Sequence, residues 1–381
     1  MSRKESRSAS STPPSRLGAF VRRHRRLVLV LEILFIVSIV GSLLLTCVGG
    51  CFLLKYLRDG GYVESWTDGE DGTLLAKVQY GPRDWQIMDV YVPKTFDASK
   101  SSGALLFVHG GAWVVGSRRE QQGFARRIAK RGYLVANMEY MLYNYKLSKE
   151  DKESYSVYSV LDEIDMALAK LKEIGSEHGY DVKKVGISGH SAGGHLAMLY
   201  GYRYKTRENG SPCVDVAFIA PRVGPSDFLT RNAWGPETGD MKRSARFVSY
   251  LSGEEITPSD LKERNAKAEA ALKRISPACY ISPETAVPTF AAYAAKDMLV
   301  PTTQTSAVTR AFDRIGAKSF TVVTSPTSTT PVFDLLIFPN SNHPLASDPV
   351  FTEKWTRIFE AYAARYLDEP TSEAWSESPV E

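Results

Sequence analysis

Gly189-His190-Ser191-Ala192-Gly193 sets a serine among small residues, and the stretches on either side of it limit what the chain can fold into. Residues 184–188 (Lys-Val-Gly-Ile-Ser) read as a short buried strand, and residues 193–204 read as a helix. A strand that turns straight into a helix leaves no room for bulky neighbours. Gly189, Ala192 and Gly193 therefore fit a turn sharp enough to project the serine side chain at the strand's carboxyl end, beside a helix N-terminus that favours negative charge. The pentapeptide alone is common; its place between a strand and a helix makes it informative.

The surrounding sequence repeats this rhythm. Apolar runs at 85–92, 104–108, 133–138, 214–220, 288–294 and 332–338 read as strands. Between them, 121–131, 159–174 and 353–366 have helical periodicity, and Val160, Ile164, Leu168 and Leu171 fall on one face. Alternating strands and helices predict a mostly parallel sheet covered on both faces, an α/β class of fold, over residues 62–367. Residues 229–283 interrupt the alternation with two helical patterns, 241–251 and 258–275, and no strand. They are expected to form a helical cap over the sheet's carboxyl edge, where inserted segments commonly wall a substrate site. The loop 324–331 is a short low-complexity run.

Three further positions complete a chemical pattern. His109-Gly110-Gly111-Ala112-Trp113 follows the strand at 104–108, and its glycines let backbone N–H groups approach a substrate oxygen closely. Gly111, Ala112 and Ala192 are the expected backbone donors to an oxyanion. A serine nucleophile also needs a base. His24 lies in the basic head, His178 in a polar turn, and His190 and His195 too near Ser191 in the chain to reach its hydroxyl from a separate loop. His109 is expected to orient its own loop. His343, just past the last strand, remains. The acid that orients this imidazole is expected between Ser191 and His343. Asp297, after the strand at 288–294, fits best, and Asp227 is its rival; Asp334 falls inside a strand. This chemistry requires no metal or cofactor.

Charge is unevenly distributed. The chain carries 47 Lys and Arg against 43 Asp and Glu, a net +4. Residues 1–26 hold eight of the basic residues and one acid, 8 − 1 = +7, which leaves 4 − 7 = −3 for the rest. A slightly acidic body gives no support to nucleic-acid binding. Residues 1–26 are expected to be a disordered basic tail and 368–381 a disordered end. Leu27 to Leu54 is almost wholly apolar after the cluster Arg22-Arg23-His24-Arg25-Arg26. That length spans a bilayer as a helix, and the basic flank predicts a cytoplasmic N-terminus with the catalytic domain outside the cytoplasm. The run exceeds a cleavable signal's apolar core. A lipoprotein anchored at Cys51 is the alternative. Cys213 and Cys279 pair if the body is in an oxidising compartment, or are two separate buried thiols.

The motifs HGGAW at 109–113, GHSAGGH at 189–195, KDMLVP at 296–301 and SNHP at 341–344 together resemble the α/β-hydrolase superfamily. The similarity is to its esterase and lipase branch, which includes hormone-sensitive lipase and bacterial carboxylesterases, and it covers residues 80–366. The resemblance implies cleavage of carboxylic esters through an acyl-enzyme, with Ser191, His343 and Asp297 in the catalytic roles and a small-molecule ester as substrate. A peptidase or an acyltransferase on the same fold is the alternative, and a catalytically silent binding module is a third. Two departures stand out. Ala112 replaces a third glycine, which leaves a backbone donor in place, and Tyr140-Met141-Leu142 stands where relatives often carry Tyr-Arg-Leu, which implies a missing structural ion pair.

Overall fold

The computed structural model describes residue 62 and residues 64–95, 97–144, 146–203, 213–230, 240–320 and 330–368. The basic tail, the apolar run 27–54, Cys51, the loop 324–329 and residues 369–381 lie outside the described residues. Among the described residues no helix is long and apolar enough to cross a membrane.

The strands are β1 (Gly72–Gln79), β2 (Ile87–Pro93), β3 (Gly103–Val108), β4 (Leu134–Met138), β5 (Lys184–His190), β6 (Asp215–Arg222), β7 (Thr289–Ala294) and β8 (Phe333–Phe338). They form one sheet in the order β1-β2-β4-β3-β5-β6-β7-β8. Pairings β1–β2 and β2–β4 are antiparallel and the rest are parallel. Every residue of β3, β4 and β7 is buried, as strands covered on both faces require. Side chains alternate between two cores: Ala104, Leu106 and Val108 of β3 join one, Leu105 and Phe107 the other. The first core is covered by α3 (Val157–Glu177), α4 (Ala192–Arg203) and α8 (Thr303–Arg314), and the second by α1 (Gln122–Ala129) and α9 (Phe351–Tyr366).

The turn from β5 into α4 positions the chemistry. Ser191 adopts φ 54°, a left-handed conformation that costs about 1–3 kcal/mol for a non-glycine residue. Its N–H donates to Arg222 O at 2.8 Å, and its own carbonyl accepts from His195 N at 3.0 Å. Every residue of α4 from Ala192 to Tyr202 is buried. Burial of Leu196, Met198 and Leu199 alone, about 1.5–3 kcal/mol each, exceeds the strain. The glycines are steric necessities: a Cβ on Gly193 would sit 2.0 Å from Val108 O, and one on Gly189 would sit 2.3 Å from Gly193 C.

The insertion after β6 forms α5 (Met241–Ser252), α6 (Pro258–Glu263) and α7 (Ala266–Arg274). The single helix expected over 258–275 is two. Arg264 takes φ 52° and ends α6, and the Asn265 side chain accepts from Ala268 N to cap α7. Three elements go beyond the sequence expectation: the edge strand β1, the short α2 (Lys149–Ser154) and α8. Cys213 is an exposed free thiol and Cys279 a half-buried one, so they neither pair nor match the expectation of two buried thiols. Met141, in the place of the common arginine, leaves the buried Glu163 without a cationic partner among the described residues. Glu163 instead accepts from Met141 N (2.7 Å), Trp85 Nε1 (2.8 Å) and Gln86 Nε2 (2.9 Å). Burial pushes its carboxyl above the usual range, against the pull of those donors.

Two predictions follow from the packing around α4. Gly193→Ala is expected to lower unfolding stability by about 3 kcal/mol, because backbone rather than a movable side chain blocks the new methyl group. Gly316→Ala, at φ +69° with nothing within 4 Å, costs only about 1–2 kcal/mol of backbone strain; urea titrations of both variants measure the contrast. The second concerns His195, fully buried, whose Nε2–H donates to Ile275 O at 2.8 Å. Burial lowers its pKa from 6.5 to about 4, despite that hydrogen bond. The folded state therefore favours the neutral ring, and the stability this confers is present above the unfolded pKa and lost as pH falls towards 4. Between pH 7 and 5 the parent chain is expected to lose about 2 kcal/mol more than His195→Gln in the same titration.

Candidate active site

Ser191 opens into a cavity of about 250 Å³ whose lining includes Ala112, Trp113, Phe228, Phe247, Leu299 and Val300. The loops around it leave the carboxyl ends of β3, β5, β6 and β7, and α5 of the insertion adds Phe247. Four strands and the cap thus converge on the serine.

The structure brings Asp297 and His343 together. His343 Nδ1 lies 2.7 Å from Asp297 Oδ2, and the aspartate side chain is fully buried. A carboxylate accepts and does not donate, so Nδ1 carries a proton, which in the neutral ring puts the lone pair on Nε2. The other carboxylate oxygen, Oδ1, accepts from Leu299 N (2.8 Å) and Val300 N (2.9 Å). Asp297 thereby fixes both the imidazole and its own loop. The two loops are tied directly, with Lys296 N donating to Ser341 O at 3.0 Å.

His190, next to the serine in the chain, also holds the histidine loop. Its Nε2–H donates to the carbonyl of His343 at 3.0 Å, and the two rings lie 5.0 Å apart. Burial, reinforced by His343 and Arg222, pulls its pKa down to about 3, so it stays neutral and adds no charge beside the base. No hydrogen bond joins Ser191 Oγ to His343 Nε2 among the described contacts. Such bonds commonly tighten only when substrate is bound.

The rival acids have other duties. Asp227 Oδ1 accepts from Leu229 N (2.8 Å) and Thr230 N (3.1 Å), which caps its own turn. Asp334 bonds to Tyr362 and Ser319 on the sheet edge.

The loop after β3 has the geometry expected of an anion-binding backbone. Gly111, Ala112 and Trp113 take φ values of 107°, 52° and 62° in succession, and such runs turn N–H groups to one side. The N–H groups of Gly111, Ala112 and Ala192 enter none of the described backbone hydrogen bonds outside helices and strands. A Cβ at Gly110 would lie 3.4 Å from Ser191 Cβ, so loop and serine are in direct contact. Gly111 is required: a Cβ there would fall 1.9 Å from Val115 O.

A buried ionic network supports this loop. His109 Nδ1–H donates to Gly110 O at 2.7 Å, Nε2 is 3.5 Å from Glu139 Oε2, and the ring stacks on Tyr140 at 4.2 Å. Arg118 donates to Glu139 (2.9 Å) and Asp89 (2.8 Å). Burial would raise the Glu139 carboxyl, but His109 and Arg118 hold it below the usual range. His109 is thus an orienting residue, as the sequence suggests. His190, Gln304, Phe228 and Phe247 were not legible as site residues. Gln304 Oε1 accepts from Ser226 N (2.7 Å) and Asp227 N (2.8 Å), fixing the turn that presents Phe228. Apolar residues of a cap and an isolated glutamine carry no motif. His190 had one signal, its place inside the elbow.

Among the described residues no group of histidine, cysteine, aspartate or glutamate side chains is arranged to hold a metal ion.

Comparison with known proteins bears on the family and the fold. A family model described as BD-FAE matches residues 88–312, more than half of the chain. Esterase LipC of Mycobacterium tuberculosis is 29% identical over 184 residues, covering 46% of this chain and 40% of LipC. A probable isoprenylcysteine alpha-carbonyl methylesterase of Oryza sativa subsp. japonica is 28% identical over 124 residues, 32% of this chain and 27% of that protein. The chain therefore spans less than half the length of these relatives. Esterase B from Lactobacillus rhamnosis superposes with a TM-score of 0.60 at 18% identity, over 85% of this chain and 96% of that one, which establishes the fold. The chain belongs to the BD-FAE family, within the esterase and lipase branch of the α/β-hydrolases.

Proposed function

We propose that the protein hydrolyses carboxylic esters through an acyl-enzyme on Ser191. The observation that carries this is the 2.7 Å pairing of His343 with buried Asp297 at the same sheet edge as a serine on a strained strand-to-helix turn. In this mechanism His343 Nε2 takes the serine proton as Oγ attacks the ester carbonyl. The resulting oxyanion is met by the N–H groups of Gly111, Ala112 and Ala192. His343 then returns the proton to the departing alcohol oxygen, and water releases the acid by the reverse sequence. Asp297 keeps the imidazole in the required tautomer and stabilises the imidazolium. The resemblance to proteins named as esterases supports the same reaction class.

We further propose that residues 27–54 anchor the chain in a membrane with the N-terminus cytoplasmic, on the sequence grounds of an apolar run behind a basic cluster.

Ser191→Ala is expected to abolish both fluorophosphonate labelling and hydrolysis of p-nitrophenyl acetate; retained hydrolysis would remove Ser191 from the mechanism. Asp297→Asn is expected to lower kcat about 10⁴-fold, whereas Asp227→Asn leaves kcat near that of the parent chain. The reverse order would reassign the acid. For the anchor, the full chain is expected to stay with membranes after alkaline carbonate washing and to lose its hydrolase domain to protease added outside the cell. Release by carbonate contradicts the anchor, and protection from external protease contradicts the orientation.

A further inference from the structure

The cavity at Ser191 has two unequal walls. One belongs to the core. Trp113 and Phe228 both pack edge-on against His195, with ring centres 5.1 and 5.5 Å away. His195 is itself locked by its bond to Ile275 O. The other wall is Phe247, on α5 of the insertion, 5.8 Å from Trp113 and 6.0 Å from Phe228. Behind Phe247 stands Tyr250, at 5.5 Å, which stacks on Tyr143 at 4.5 Å. Phe247 therefore separates the cavity from a further layer of aromatic side chains. It is half-buried, whereas Trp113 and Phe228 are buried.

The chemistry decides which part of an ester belongs here. The proton donated to the departing alcohol comes from His343, so the alcohol oxygen must face that ring. His343 is not among the residues lining this cavity, which lies under the loop after β3, Phe228 and the cap. The acyl part, on the other side of the carbonyl carbon, is left to fill it. At about 250 Å³ the space falls below the roughly 300–1,000 Å³ of pockets that enclose drug-sized ligands. Apart from Ser191 itself and the Gln304 amide, its lining is aromatic and aliphatic, without a charged side chain.

We propose that this cavity is an acyl pocket limited to compact apolar acyl groups, and that Phe247 sets the limit. The proposal rests on Ser191 being the nucleophile and adds the class of acyl group and the residue that selects it. Longer chains are excluded by the Phe247 ring, not by the core wall, so specificity resides in the inserted segment and can change without disturbing the elbow.

The test is a chain-length series on the full chain with p-nitrophenyl acetate, butyrate and octanoate. For the parent chain kcat/KM is expected to be at least about tenfold higher for the better of acetate and butyrate than for octanoate. Phe247→Ala is expected to raise octanoate relative to butyrate by at least about tenfold. Phe247→Trp is expected to shift preference towards acetate. Phe247→Leu, a smaller perturbation, carries the same test with a reduced gain if the alanine variant is unstable. A parent chain that prefers octanoate, or variants that scale all three substrates equally, overturns the proposal while leaving Ser191 labelling and acetate hydrolysis intact. Absence of labelling and of all hydrolysis in the parent chain instead overturns the nucleophile assignment and this proposal with it.

Discussion

The hydrogen bond from the Ser191 amide to Arg222 O is the contact on which the rest of the site is built. It holds a non-glycine residue at φ 54° between a central strand and a helix buried from Ala192 to Tyr202. The strain is local, and the burial that offsets it is spread along α4. Gly189 and Gly193 bring β5, α4 and the end of β3 so close that no methyl group fits between them. That proximity seats the loop of Gly111 and Ala112 against the serine.

Around this fixed point the protein separates ionised from neutral groups. The carboxylates of the support network, Asp89 and Glu139, lie behind the loop after β3 and are matched by Arg118. The two histidines nearest the elbow, His190 and His195, are kept neutral by burial and used only as hydrogen-bond donors to carbonyls. His343 alone is paired with a carboxylate through Nδ1 while lying partly open to solvent, 16% exposed at the side chain. In the proposed mechanism that asymmetry makes one of three neighbouring histidines the base.

Much of this was legible in the sequence. Ser191, His343 and Asp297 are readable as candidates from their places after strands, and the loop at 109–113 from its glycines, because chemistry at a sheet edge demands particular residue types at particular ends. Elements held by tertiary contacts were harder to read. β1 alternates poorly, with a register shift between Leu75 and Val78 and Lys77 at φ 56°, so its side chains do not keep a period of two. α8 is rich in threonine and buries few apolar side chains, chiefly Val308, Ala311 and Phe312. The break at Arg264 has neither glycine nor proline to announce it. In the sequence His190 shows only that it is too close to Ser191 to act as its base. Its actual bond, to the His343 carbonyl 153 positions away, exists only once the sheet has assembled.

The most direct measurement is the site of covalent attachment. The full chain treated with a fluorophosphonate, digested and mapped by mass spectrometry, is expected to carry one stoichiometric adduct on Ser191, lost when the chain is unfolded before treatment. An adduct on another residue, or an active chain that acquires none, would contradict the account.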